Sequence, residues 1–116
     1  MASNAIAVRA YPIPLQSMAF GSITGSYTII SSTGLPYPCR ILNFQNATNA
    51  PIYISFDGVN DHIYLAAESF QLFDFGTNRG ERASELSVSQ GTKFFVKFAS
   101  APTSGLVAVS GFYAQY

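Results

Sequence analysis

The chain has no tryptophan, one cysteine (Cys39) and one histidine (His62) in 116 residues. A lone cysteine excludes an internal disulfide, and with it a disulfide-stapled secreted scaffold. One Cys and one His fall short of the three or four ligands of a zinc site. A Cys39–His62 nucleophile–base pair is the remaining thiol chemistry. The plainer role for Cys39 is a small buried residue at the start of a strand. Charge is also scarce, at 10% of residues with a net of zero, against about 25% in typical domains. That argues against an electrostatic binder of nucleic acid or membrane. No apolar run approaches the ~18–20 residues of a membrane span. The start, "MASNAIAVRAYPIP", lacks the basic and apolar regions of a secretion signal. Synthesis in a cytosol is the expectation, and "NAT" at Asn46–Thr48 is then a chance sequon.

What is present is apolar. Hydrophobic residues make up 48% of the chain and aromatics 15%. The length fits one domain with its own core. A surface so poor in charge tends to self-associate, which predicts burial against other subunits. The charges are unevenly placed: residues 1–56 carry Arg9 and Arg40, and all six acidic residues lie from Asp57 to Glu85.

Apolar residues alternate with period two in short runs rich in Ile, Val, Phe, Tyr and Thr, with turn residues between them. This predicts an all-β antiparallel sandwich. The expected strands are 17–23, 26–31, 39–47, 51–58, 62–67, 69–75, 85–89, 93–100 and 105–115. Alternation places Leu42, Phe44, Ile52, Ile54, Phe56, Ile63, Leu65, Leu86, Val88, Phe94, Val96 and Phe98 on the core side. Tyr53, Ser55, Asp57, His62, Tyr64, Phe95 and Lys97 are then expected outside. "QNATNAP" (45–51), "TNRGERAS" (77–84), "SQGTK" (89–93) and "APTSG" (101–105) read as connectors.

The N-terminal segment differs. Pro12 and Pro14 in "AYPIPLQ" each lack an N–H and disfavour helix at the preceding residue. Residues 1–16 are therefore expected to form an extended arm ahead of a sandwich over 17–116. The arm either crosses to a neighbouring subunit or seals its own sandwich. Its apolar residues Ile6, Val8, Tyr11, Ile13 and Leu15 are the expected contacts, and Tyr53, His62, Tyr64 and Phe95 are the expected outer-face contacts.

"FDGVNDHIYLA" (56–66) holds the densest set of polar functional groups. Counted from Asp57, a helix–loop–helix calcium loop would need Gly at the sixth position, where His62 stands. An irregular calcium site at Asp57–Asp61 stays open. No paired carboxylates across a cleft, "GxSxG" elbow or phosphate-binding loop is present. The stretch reads best as a hairpin in which Asp57-Gly58 makes the turn and Asn60 or Asp61 caps local N–H groups. No catalytic residue, metal or cofactor is assigned.

The runs "RILNFQNATNAPIYISFDGVNDHIYLAAESFQLFDFGTNRG" and "GTKFFVKFASAPTSGLVAVSGFY" resemble small structural proteins of tailed-bacteriophage virions. The "N-x-T" turn, "ISFDG", "DF-x-x-N" and "PTSG" carry the resemblance, over about Arg40 to Tyr113. It implies a jelly-roll-like β-sandwich of the head-decoration (cement) or head-to-tail connector type. The implied function is non-enzymatic: a homo-oligomer in the virion that binds capsid or connector subunits. The alternative is a carbohydrate-binding module on a virion or cell surface, with exposed Tyr and Phe beside Asp57 and Asn60.

Overall fold

The computed structural model describes residues 9–74 and 88–115. The strands are β1 (Arg9–Pro12), β2 (Gln16–Ala19), β3 (Thr28–Ile29), β4 (Cys39–Asn46), β5 (Ile52–Ser55), β6 (Ile63–Leu65), β7 (Ser69–Asp74), β8 (Phe95–Phe98) and β9 (Leu106–Gln115). A single 3-10 turn, Phe20–Ser22, follows β2. Among the described residues no helix is long and apolar enough to cross a membrane.

The strands form two antiparallel sheets. One runs β1-β9-β4-β7, with β2 also on β9, and the other runs β3-β8-β5-β6. The chain passes back and forth between the sheets, and this strand order is that of a jelly roll. The all-β sandwich read from alternation is therefore the observed fold.

The core follows the period-two pattern. Leu42, Phe44, Ile52, Ile54, Phe94, Val96, Val107 and Val109 are fully buried, and Ile63 and Leu65 nearly so. Phe44 makes edge contacts with Phe73 and Phe94, at centroid distances of 5.7 and 5.2 Å. Burying each such side chain stabilises the fold by about 1.5–3 kcal/mol. The expected strand at 85–89 falls mostly outside the described residues, as do Leu86 and the loop at 77–84. Val88 does bridge to Cys39, with N···O distances of 2.9 and 2.7 Å.

The N-terminal segment from Arg9 is an edge strand in two pieces. β1 pairs Pro12 with Phe112, and β2 pairs Gln16 with Val109. Three residues, Ile13–Leu15, thus face two, Ser110 and Gly111, which is the count of a bulge. Proline is tolerated there because an edge strand leaves one row of N–H groups unused. Ile13 still donates its N–H to Gly111 at 3.0 Å and buries its side chain.

The connector after β4 is more than a surface turn. Asn46 and Thr48 are fully buried. Asn46 Nδ2 donates to the carbonyls of Ala50 (2.9 Å), Leu65 (3.3 Å) and Ala66 (3.0 Å). Its Oδ1 accepts from Thr48 N (3.0 Å) and Thr48 Oγ1 (2.6 Å). One amide thereby ties β4 in the first sheet to the end of β6 in the second. Gly105 closes against the same turn with φ +95°, and a Cβ there would lie 2.0 Å from the Ala47 carbonyl oxygen.

Candidate assembly surfaces

The 56–66 stretch is a hairpin loop organised by Ser55 and Asp57. Gly58 has φ +78°, the conformation the Asp-Gly turn calls for. Asp57 Oδ1 accepts from the N–H groups of Val59 (2.8 Å) and Asn60 (2.9 Å) and from Ser55 Oγ (2.8 Å). Asp57 Oδ2 accepts from Asn60 Nδ2 at 2.8 Å. The cap is therefore Asp57, where Asn60 or Asp61 was expected. These bonds, led by the Asn60 and Val59 N–H groups, hold the Asp57 carboxyl well below the usual carboxylate range. Ser55 was expected outside and is fully buried. Its hydroxyl is drawn inward because it also accepts the N–H groups of Asp57 (3.2 Å) and Gly58 (2.9 Å).

Among the described residues, His62 is paired through its Nδ1 with local backbone. Its Nδ1 accepts the Phe56 N–H at 3.0 Å, and its ring sits edge-on to Phe56. Cys39 is fully buried, and its thiol donates to the Tyr37 carbonyl at 3.4 Å. Burial pushes that thiol's pKa up, away from the activated thiolate a nucleophile needs. The two groups that could have formed a dyad are each committed elsewhere. An apolar cleft of about 290 Å³ beside His62 is lined by Phe56, Ile63 and Phe73 as well, and among the described residues no carboxylate or thiol lines it.

The outer face of the second sheet carries the predicted aromatics, packed on one another. Tyr53 contacts Tyr64 at a 5.4 Å centroid distance, and Lys97 Nζ lies 4.7 Å from the Tyr27 ring centroid and 5.5 Å from that of Tyr53. Asp61 takes the Tyr27 hydroxyl and pairs with Lys97 at 3.2 Å. The Tyr27 bond, then Lys97, lowers the Asp61 pKa, while burial and then Asp61 raise that of Tyr27. Phe95 is half-buried beneath the loop, its ring 3.3 Å from where a Gly58 Cβ would stand. Of the expected outer-face contacts, His62 and Tyr64 are the exposed ones. Both loop carboxylates are thus occupied by protein donors. Among the described residues, no group of three or more His, Cys, Asp or Glu side chains is placed to hold a metal ion.

The outer face of the first sheet is more apolar, and alternation had not been used to assign it. Phe70 and Leu72 on β7 are 66% and 57% exposed, and Leu106 and Phe112 on β9 are 41% and 42% exposed. Register puts them on one face: Phe70 faces Gln45 and Leu72 faces Asn43, which continue to Ala108 and Ser110 on β9. Among the described side chains of β4, β7 and β9, the charged ones are Arg40, in the bulge at the start of β4, and Asp74, at the end of β7. The signal was present in "SFQLFDF", where Phe70, Leu72 and Asp74 share one parity.

The arm residues divide by role. Ile6 and Val8 lie outside the described residues. Ile13 belongs to the chain's own core, Tyr11 stacks on Tyr113 at a 5.6 Å centroid distance, and Leu15 is 63% exposed. Tyr113 also stacks on Tyr37 at 4.0 Å, so three tyrosines close one end of the first sheet.

No protein-family model matches the chain. No curated protein matches it. Among solved structures, the chain is similar to one described as "Bacillus endospore appendages form a novel family of disulfide-linked pili", with a TM-score of 0.52 and 13% identity over 94% of this chain and 89% of that one. At that identity the likeness is one of fold, a β-sandwich. It overturns the tailed-phage reading. The virion location, the capsid-decoration and head-to-tail connector roles and the capsid or connector partners are withdrawn. The physical reason for the error lies in the motifs. "ISFDG" is the Ser55–Asp57 capped turn, "N-x-T" is the buried Asn46–Thr48 knot, and "PTSG" ends in the Gly105 contact. Each serves a turn of this sandwich, and none reports what the sandwich assembles with.

Proposed function

We propose that this chain is a non-enzymatic structural subunit that polymerises with copies of itself into an extracellular, pilus-type appendage. The observation that carries this reading is the nearly uncharged first-sheet face with Phe70, Leu72, Leu106 and Phe112 exposed. A monomer seldom leaves such a patch open. Likeness in fold to a pilus subunit supports the same reading. In this arrangement Tyr11 and Leu15 are the exposed arm contacts among the described residues, and His62 and Tyr64 are the exposed outer-face residues beside the second sheet.

The linkage would be non-covalent. The similar structure is of disulfide-linked pili, whereas this chain has one cysteine. One thiol per subunit joins at most two subunits and cannot link a series of them. Cys39 is also fully buried.

The test is sedimentation and negative-stain microscopy of the purified chain beside a Phe70→Glu, Leu72→Glu variant. Ordered polymers are expected for the parent. The variant, altered at exposed positions, should keep its circular dichroism and lose assembly. A single-subunit mass for the parent up to its solubility limit would overturn the proposal.

A further inference from the structure

Asp-Gly is among the dipeptides prone to spontaneous rearrangement, because glycine leaves its N–H unhindered. The Gly58 amide nitrogen would attack Asp57 Cγ and expel water, giving a five-membered succinimide. Water then adds back at either carbonyl, giving the original linkage or an isoaspartyl linkage through the side chain. Atoms balance without an oxidant or a co-reactant other than water.

The fold demands this dipeptide. Position 58 has φ +78° with the Phe95 ring against it, so glycine is required there. Position 57 must accept two backbone N–H groups and two side-chain donors, which a carboxylate does. The same contacts restrain the reaction. Ser55 Oγ, in a fully buried side chain, accepts the Gly58 N–H at 2.9 Å and donates to Asp57 Oδ1 at 2.8 Å. It holds nucleophile and electrophile at once. Cyclisation requires the carboxyl carbon to leave Val59 N and Asn60 N and close on Gly58 N. It also goes best through the neutral acid, and those N–H bonds keep the carboxyl ionised.

We propose that Asp57-Gly58 is a latent isoaspartyl modification site, held closed by the Ser55 clamp and opened when the hairpin loop opens. Reaction is then confined to the open fraction of molecules. Modification is also self-locking. The isoaspartyl linkage lengthens the backbone by one carbon and removes the side-chain carboxylate that caps Val59 and Asn60, so a modified loop cannot re-form the clamp.

The test is ageing at neutral pH and 37 °C, with isoaspartate at Asp57 read by peptide mass spectrometry with electron-transfer fragmentation. The samples are folded parent, parent in urea, Ser55→Ala and Asn60→Ala. Folded parent should modify at least about tenfold more slowly than parent in urea, which corresponds to about 1.4 kcal/mol of loop opening. Ser55→Ala and Asn60→Ala, if folded by circular dichroism, should each modify faster than folded parent. Equal rates for folded and unfolded parent would overturn the proposal, as would a folded Ser55→Ala protein no faster than the parent. If Ser55→Ala does not fold, the exposed Asn60→Ala variant and the urea comparison decide it.

Discussion

Asn46→Ala should be among the most damaging single changes in this chain, although its sequence context reads as a polar surface turn. Truncation strips the fully buried Thr48 N–H of the Asn46 Oδ1 bond, and a buried orphan donor costs about 1–3 kcal/mol. The three carbonyls fare differently. Ala50 keeps a bond from Thr48 Oγ1 (2.9 Å) and Ala66 keeps one from Ser69 Oγ (2.6 Å), while Leu65 loses its bond from Asn46. Lost bonds at about 1 kcal/mol each bring the total to about 3–5 kcal/mol, against a whole-domain stability of about 5–15 kcal/mol. The expected fall in melting temperature is roughly 10–20 °C. The assay is urea and thermal unfolding followed by circular dichroism. Asn46→Asp sharpens it: a carboxylate facing three carbonyls would have its pKa raised by folding. The folded form then tolerates the residue below the unfolded pKa of about 3.9 and loses about 1.4 kcal/mol per pH unit above it, until the raised folded pKa is passed. A loss below about 1 kcal/mol for Asn46→Ala, or an Asp variant indifferent to pH, would refute the view that this amide joins the sheets.

Gly105→Ala places a Cβ 2.0 Å from the Ala47 oxygen at φ +95°. Two backbones must part, so a loss of about 2–4 kcal/mol in urea unfolding is expected, of the size reserved for backbone strain and overpacking. Asp57→Ala should lower the melting temperature at pH 7, and the gap from the parent should close in acid. The sign follows from the depressed pKa of the folded state: the contribution is present above the unfolded value of about 3.9 and disappears as pH falls through the folded one. Parallel melting curves across pH 2–7 would contradict it.

Alternation exposed most of the fold because the core here is built by strands whose inner residues are branched or aromatic. β4, β5, β6 and β8 were legible on that ground, with Leu42, Phe44, Ile52, Ile54, Ile63, Leu65 and Val96 buried as expected. Two misses, Ser55 and the Asn46–Thr48 turn, share one cause: local hydrogen bonding overrode the pattern. Ser55 has outward parity yet turns in to clamp the loop, and Asn46 and Thr48 have the composition of a surface turn yet are buried because they satisfy one another. The N-terminal edge strand was hidden by its prolines, which exclude a central strand but permit an edge. The assembly face was hidden for a different reason. On "GLVAVSGFYAQ" both parities are apolar, so periodicity cannot say which side is inward, and register with β4 was needed to place Leu106 and Phe112 outside.

That ambiguity has a physical meaning. A strand that is apolar on both faces needs two partners, one of them outside the sandwich. The same reasoning accounts for the scarcity of charge. A closed two-fold dimer hides one patch per subunit, but an open polymer hides two, one for each neighbour. With about 800 Å² per partner in a stable interface, a polymer subunit would cover roughly 1,600 Å² of the 6844 Å² accessible surface, close to a quarter of it. A surface with that fraction withdrawn from water can do without the charges that keep a monomer apart from its copies. A chain whose one cysteine is buried has no thiol with which to make the joints permanent. In the proposed polymer, contact area would then be the quantity that holds neighbours together, and the Phe70, Leu72, Leu106 and Phe112 face is the exposed apolar area available for it.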